Sequence, residues 1–326
     1  MAHTSLRKAG AASDFGPDTR KQRAEKGTPV FAWHAAGKKS LRHRTDAEIE
    51  SDAVARHRPW LSRSELFSGL AIVGFANGAS ERAGDEIARS GIVGAFFNTF
   101  DVSVVVWAAV LVAVWLLLSA ERARVGAADI AVGTAAAIAF LIPVPSLAWL
   151  AMAAMAAYLV WTSAPRSRMR RAAVLIGVLT VPMLWARLVF AALSNTLLGI
   201  DAKLVGWVVG TQSAGNAIPF ADGSGMLFLE PACSSLTNLS LALLLGVVFV
   251  KAYDRQWTGP IVATMLLACA ATVAINVTRI SVIGVFPDTY ELMHGGIGAT
   301  VAAWTTVIAI TLIYTKWIKP DAPDPA

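Results

Sequence analysis

The chain reads as an all-α protein, a polytopic transmembrane helical bundle with about eight spans and a basic, largely disordered N-terminal tail. Three observations predict this. Of the 326 residues, 56% are hydrophobic and only 15% charged, where soluble domains carry about a quarter charged residues, and the mean hydropathy is +0.56. Nearly uncharged stretches of roughly the 17 to 25 residues needed to cross a hydrocarbon core recur along the sequence. The Lys and Arg residues between those stretches fall on alternate loops, as the orientation rule for membrane proteins requires.

The elements follow in order. Residues 1 to 64 hold 13 Lys and Arg against 7 Asp and Glu, so the formal net charge of +6 lies entirely in this segment. Its polar, Gly- and Pro-punctuated start predicts disorder, with a short helix near Thr45 to Arg56. A cytoplasmic tail that touches anionic lipid explains this charge better than nucleic-acid binding does. The membrane domain is expected over residues 65 to 326. A Gly-rich apolar stretch from Leu66 to Ser80 is its weakest span. Seven clearer ones run from Val102 to Ala120, Val125 to Ile142, Val144 to Thr162, Ala172 to Leu193, Ser234 to Val250, Gly259 to Pro287 and Ile297 to Tyr314.

Arg166, Arg168, Arg170 and Arg171 fix the loop after the fourth span, counting Leu66 to Ser80 as the first, as cytoplasmic. Lys251 and Arg255, Lys316 and Lys319, and Arg122 and Arg124 then fall on that same side, together with both termini. Residues 194 to 233 and 288 to 296 are left on the outer face of a plasma (inner) membrane. Within the first of these outer loops, Leu197 to Trp207 reads as an interfacial amphipathic helix, followed by a Gly-rich stretch through Gly225.

Two cysteines are present. Cys269 lies about ten residues deeper in its span than Arg279, which is roughly 15 Å of helix. A bridge to Cys233 at the outer surface requires Cα atoms within about 7 Å, so two free thiols are expected. Cys269 suits the role of a small buried hydrophobe. Cys233 follows a short extended apolar piece ending at Glu230-Pro231 and precedes a membrane helix beginning at or just after it. Unpaired N–H groups and the positive end of the helix dipole at such a position favour a reactive cysteine.

Two further residues on the outer side carry chemistry. Arg279 sits inside an apolar span, where an arginine without a cavity or partner costs at least a few kcal/mol. Asn276, one turn earlier on the same face, is placed to hold the guanidinium. His294 is the only histidine outside the tail and stands at the start of the last span. A thiol, a fixed cation and an imidazole are the parts needed for acyl transfer through a thioester. One histidine and one cysteine fall short of the three or four ligands of a metal site, and no cofactor is expected. Arg187, also within a span, is expected to be structurally paired.

At these residues the sequence resembles the exosortase/archaeosortase family. The resemblance rests on Ala232-Cys233-Ser234, on Asn276-x-x-Arg279-Ile280, and on His294 followed by glycine; as a multi-span pattern it extends over roughly residues 100 to 316. It implies a membrane cysteine protease or transpeptidase that cuts a C-terminal sorting signal ahead of a transmembrane helix on exported proteins. The implied catalytic set is Cys233, Arg279 and His294, with Asn276, Glu230 and Ser234 in support. The glycine often found two residues after the cysteine is Ser235 here. The expected partners are those exported substrates and membrane lipid, with no nucleic acid. Transpeptidation and hydrolysis both remain open.

Two other readings compete. A transporter would place ionisable groups at the bilayer midplane, for which only Asp129 and Arg187 are candidates. A non-catalytic subunit of an envelope or polysaccharide export system would not need the thiol.

Overall fold

The computed structural model describes residues 61–319. The expected disordered tail and its short helix at Thr45 to Arg56 lie outside the described residues.

Ten helices form the described chain. The first, α1 (Arg63–Phe97), opens with a capping box in which the Ser62 side chain accepts from the Glu65 N–H and the Glu65 carboxylate accepts from the Ser62 N–H. It runs far past Ser80, where the apolar stretch ends. Charged Glu81 to Arg89 extends it, with an Arg89–Glu86 ion pair at 2.9 Å and the buried Glu86 carboxylate accepting from the Asn98 amide at 2.9 Å, and it kinks at Gly91, whose φ of 72° only glycine adopts freely. Its inner face carries Phe67, Ala71, Gly74, Phe75 and Gly78 at helical spacing. Gly74 and Gly78 allow close approach of α3 (Ala127–Leu141) and α4 (Pro145–Thr162). A Cβ at Gly78 would lie 2.6 Å from the Trp149 ring, and one at Gly74 would lie 2.5 Å from Phe140. This is the small-xxx-small pattern of membrane helix packing, and the Trp149 indole N–H also donates to the Gly78 carbonyl at 3.0 Å.

α2 (Val104–Leu118) packs on α1 and on α5 (Arg168–Thr180), and α4 packs on α1, α3 and α5. Pro182 lacks the N–H that the helical ladder needs. The chain responds with a π-helical turn over Val181–Trp185 before continuing as α6 (Ala186–Val209). The expected span at Ala172 to Leu193 and the expected interfacial helix at Leu197 to Trp207 are therefore one continuous rod, bent at Leu193 and stopped by Gly210 in the left-handed conformation.

A two-stranded antiparallel hairpin follows, β1 (Ala217–Pro219) and β2 (Met226–Phe228), with Ile218 opposite Leu227. This small sheet is the one departure from an all-α fold among the described residues. A 3₁₀ turn over Pro231–Cys233 leads into α7 (Ser235–Ala252). α8 (Gly259–Val285) returns antiparallel to it, the short α9 (Tyr290–His294) crosses the end, and α10 (Gly296–Trp317) closes the bundle against α8 and α7.

Five helical segments are long and apolar enough to cross a membrane: Pro145–Thr162, the continuous Arg168–Val209, Ser235–Ala252, Gly259–Val285 and Gly298–Trp317. α2 and α3 are apolar but have 15 residues each, about 22 Å against a core of about 30 Å. The protein is thus a multi-pass membrane protein.

The apolar interior has two parts. The larger core draws on α1 to α5, α7, α8 and α10, and includes Leu116, Met152, Leu175 and Tyr314. The smaller one gathers Leu198, Ala202 and Val205 of α6, Ile218 and Leu227 of the hairpin, and Val277, Ile280 and Ile283 of α8. Cys233 belongs to this second core.

Candidate active site

The site begins with how Cys233 is held. Its N–H donates to the Glu230 carbonyl at 2.9 Å, closing the 3₁₀ turn, and Ser234 then caps α7 by accepting from the Leu236 N–H at 3.3 Å. The hairpin, α6 and α8 cover the cysteine, which is 6% exposed. The expectation of a surface thiol is corrected by this roof: the cysteine is buried in one apolar cluster with Leu227, Leu229, Ala202 and Ile280. Cys233 and Cys269 are both free, and Cys269 packs, partly buried, against the larger core.

The Cys233 Sγ lies 3.8 Å from the His294 Nδ1. His294 is presented from the last residue of α9, and its ring stacks on Tyr290 with centroids 4.8 Å apart and planes 12° from parallel. Tyr290 in turn packs against the smaller core. The imidazole is therefore fixed in plane by its own short helix while its edge faces the thiol.

Asn276 does something other than what its spacing suggested. Its amide donates to the Cys233 carbonyl at 2.7 Å and to the Ser235 Oγ at 3.0 Å, and the side chain is buried. It ties α8 to the cysteine loop, so the guanidinium of Arg279 is left without it. Ser235, the residue standing where glycine was expected, supplies one of these two acceptors.

Arg279 lies one turn further along α8. Its Nε is buried with no hydrogen-bond partner among the described residues. The side chain borders a cavity of about 150 Å³ with Asn238, Asn276 and Thr306. On its other side is an apolar cleft of about 360 Å³ shared with Leu292 and Met293, the two residues before His294. A half-buried cation whose Nε has no partner among the described residues thus borders both clefts, on the same helix as the Asn276 that holds the cysteine loop.

Glu230 is exposed and contributes its carbonyl rather than its carboxylate. Asp201 was not singled out from the sequence, where it reads as the polar face of an interfacial helix. It is 5% exposed, and its Oδ2 accepts from the Ser235 N–H at 3.0 Å. It therefore caps α7 from the neighbouring helix. Asn238, equally unflagged, joins Arg279 at the cavity wall.

The remaining intramembrane candidates fall elsewhere. Asp129 sits in the first turn of α3, bonded to the Arg63 Nε at 2.7 Å, to the Tyr158 hydroxyl at 2.8 Å and to the Gly126 N–H at 2.9 Å. It is a structural anchor at a helix end. Arg187 is exposed and has no carboxylate partner among the described residues, contrary to the expected pairing. No cluster of three His, Cys, Asp or Glu side chains fit to hold a metal ion occurs among the described residues.

A family profile described as transmembrane exosortase matches residues 97–312. The match starts at the end of α1, takes in every later helix and ends inside α10. Neither a curated relative nor a solved structure matches the chain. With about two thirds of its length matched, the chain belongs to the transmembrane exosortase family.

Proposed function

We propose that this exosortase-family chain is a membrane-embedded cysteine endopeptidase or transpeptidase, acting through a thioester at Cys233 on the C-terminal sorting signal of exported proteins. The observation that carries the reading is the 3.8 Å approach of the Cys233 Sγ to the His294 Nδ1, a thiol and a base within reach of proton transfer.

The steps start from the thiol–imidazole pair. His294 takes the thiol proton as Sγ attacks the scissile carbonyl carbon, and the carbonyl oxygen becomes an oxyanion. Arg279 has unpaired donors for that charge. Collapse of the intermediate breaks the C–N bond, and His294 passes its proton to the leaving amine. The substrate acyl group is then a thioester on Cys233. An incoming amine, hydroxyl or water attacks it, His294 removes the nucleophile's proton, and the thiol is restored. Water gives proteolysis; an amine or hydroxyl gives transfer to an acceptor.

In the proposed topology all eight apolar segments cross the inner membrane, both termini are cytoplasmic, and Cys233, Arg279 and His294 lie at the outer face. The apolar cleft beside Arg279 suits the transmembrane helix that follows a sorting signal. The test is co-expression with an exported protein bearing a C-terminal helix and basic tail. Cys233→Ala is expected to leave that tail uncleaved at unchanged enzyme level, whereas Cys269→Ala processes normally. Wild-type processing by Cys233→Ala would overturn the proposal.

A further inference from the structure

We propose that the basic cleft at the end of α7 remote from Cys233 is a binding site for the phosphate headgroup of an anionic phospholipid. α7 has 18 residues, about 27 Å at 1.5 Å per residue. The cleft at its far end therefore lies on the opposite surface from the thiol, and its role is separate from the proposed chemistry.

The cleft has a volume of about 330 Å³ and is lined by Arg166, Arg170, Arg171, Lys251, Asp254 and Arg255. Five cations thus face one carboxylate, and that carboxylate is already engaged: Asp254 Oδ2 lies 3.1 Å from an Arg171 terminal nitrogen. Arg171 is further fixed by donating to the carbonyls of Lys251, at 2.8 Å from Nε, and Ala252, at 3.0 Å. The guanidiniums of Arg166 and Arg170 and the Lys251 ammonium have no carboxylate partner among the described residues. Arg166 is held at a φ of 65°, a conformation a non-glycine residue adopts only under constraint. Like charges gathered this closely repel unless an anion joins them, and a phosphate supplies one with several acceptor oxygens.

The surroundings favour a lipid over a free phosphate. Trp257 lines the same cleft, is half exposed, and lies with its ring 5.6 Å from the Lys251 ammonium. Trp161, at the end of α4 beside the Arg166 loop, is 90% exposed. Tryptophans at the ends of spans mark the headgroup level of a bilayer, and basic pockets between helices at that level suit anionic headgroups. A phosphate free in solution has no use for this aromatic rim.

The full chain purified in detergent and examined by native mass spectrometry with added phosphatidylglycerol or phosphatidylcholine tests the proposal. Wild type is expected to retain phosphatidylglycerol in preference to phosphatidylcholine. Arg166→Gln/Arg170→Gln is expected to weaken that retention roughly tenfold or more, and Lys251→Gln alone by about fivefold. Arg122→Gln removes a like charge outside the cleft and is expected to leave retention unchanged. Should the double variant fail to insert, Lys251→Gln decides. Equal retention by wild type and the cleft variants overturns the site. Displacement of the lipid by millimolar inorganic phosphate overturns the assignment to a headgroup in favour of the free anion.

Discussion

Asn276 is the residue on which the geometry of the candidate site turns. It bonds the Cys233 carbonyl and the Ser235 hydroxyl from a neighbouring helix. Asn276→Ala would leave that carbonyl buried without its partner, at a cost of about 1–3 kcal/mol. Processing is expected to fall even where the variant accumulates normally, as measured by the uncleaved fraction per unit of membrane enzyme. Asp201 acts on the same turn through the Ser235 N–H. Asp201→Asn keeps an acceptor oxygen and should retain most activity, whereas Asp201→Ala should lose about 0.5–2 kcal/mol of stability; equal thermal denaturation midpoints for the two would argue against the cap. Arg279 is the test of electrostatics. Arg279→Ala is expected to slow processing about a hundredfold or more. Arg279→Lys should fall between, since it keeps charge and loses the planar fork. Wild-type rates in Arg279→Ala would reduce the arginine to a membrane anchor.

The motif residues were visible in the sequence because their chemistry conflicts with their surroundings: a cysteine at a helix start, an arginine in an apolar run, a histidine far from every other. Partnership was not visible. Helical spacing puts Asn276 on the face of Arg279, yet a packed cysteine loop offers it a carbonyl and a hydroxyl, and those bonds win. Asp201 was hidden because a single carboxylate on an amphipathic helix looks solvated until a second helix end is placed against it.

At the scale of elements, boundaries failed where local rules gave way to continuity. Ala172 to Leu193 and Leu197 to Trp207 read as two separate helices, whereas a π turn at Pro182 and a bend at Leu193 leave them on one continuous rod. Hydropathy ends the first span at Ser80, but the helix continues through the charged residues beyond it to Phe97. Its Gly74 and Gly78 have a packing purpose that hydropathy does not report. Gly78→Ala would drive a methyl group into the Trp149 ring and is expected to destabilise the bundle by about 1–3 kcal/mol. Gly69→Ala, with open space around it, is the matched control. Thermal loss of helical circular dichroism in detergent measures both, and equal midpoints would mean that α1 does not pack as closely as described.

For the whole molecule, the division into two cores matches the division of labour proposed. The larger core holds the membrane bundle together, while the smaller one, built from α6, the hairpin and the C-terminal half of α8, contains the thiol. Membrane character was legible from composition alone, because apolar runs of that length have few other uses. The roof over Cys233 was not, since three-residue strands leave almost no periodic signal.

The central claim is that a substrate acyl group passes through a thioester at Cys233, and interception of that thioester tests it most directly. Membranes containing the protein and a cleavable exported substrate are supplied with hydroxylamine, and the new C-terminus of the product is read by mass spectrometry. The account predicts a C-terminal hydroxamate with the wild-type protein and with Cys269→Ala, and no cleaved product with Cys233→Ala. A product bearing only a free carboxylate in the presence of hydroxylamine, or a hydroxamate formed by Cys233→Ala, would contradict it.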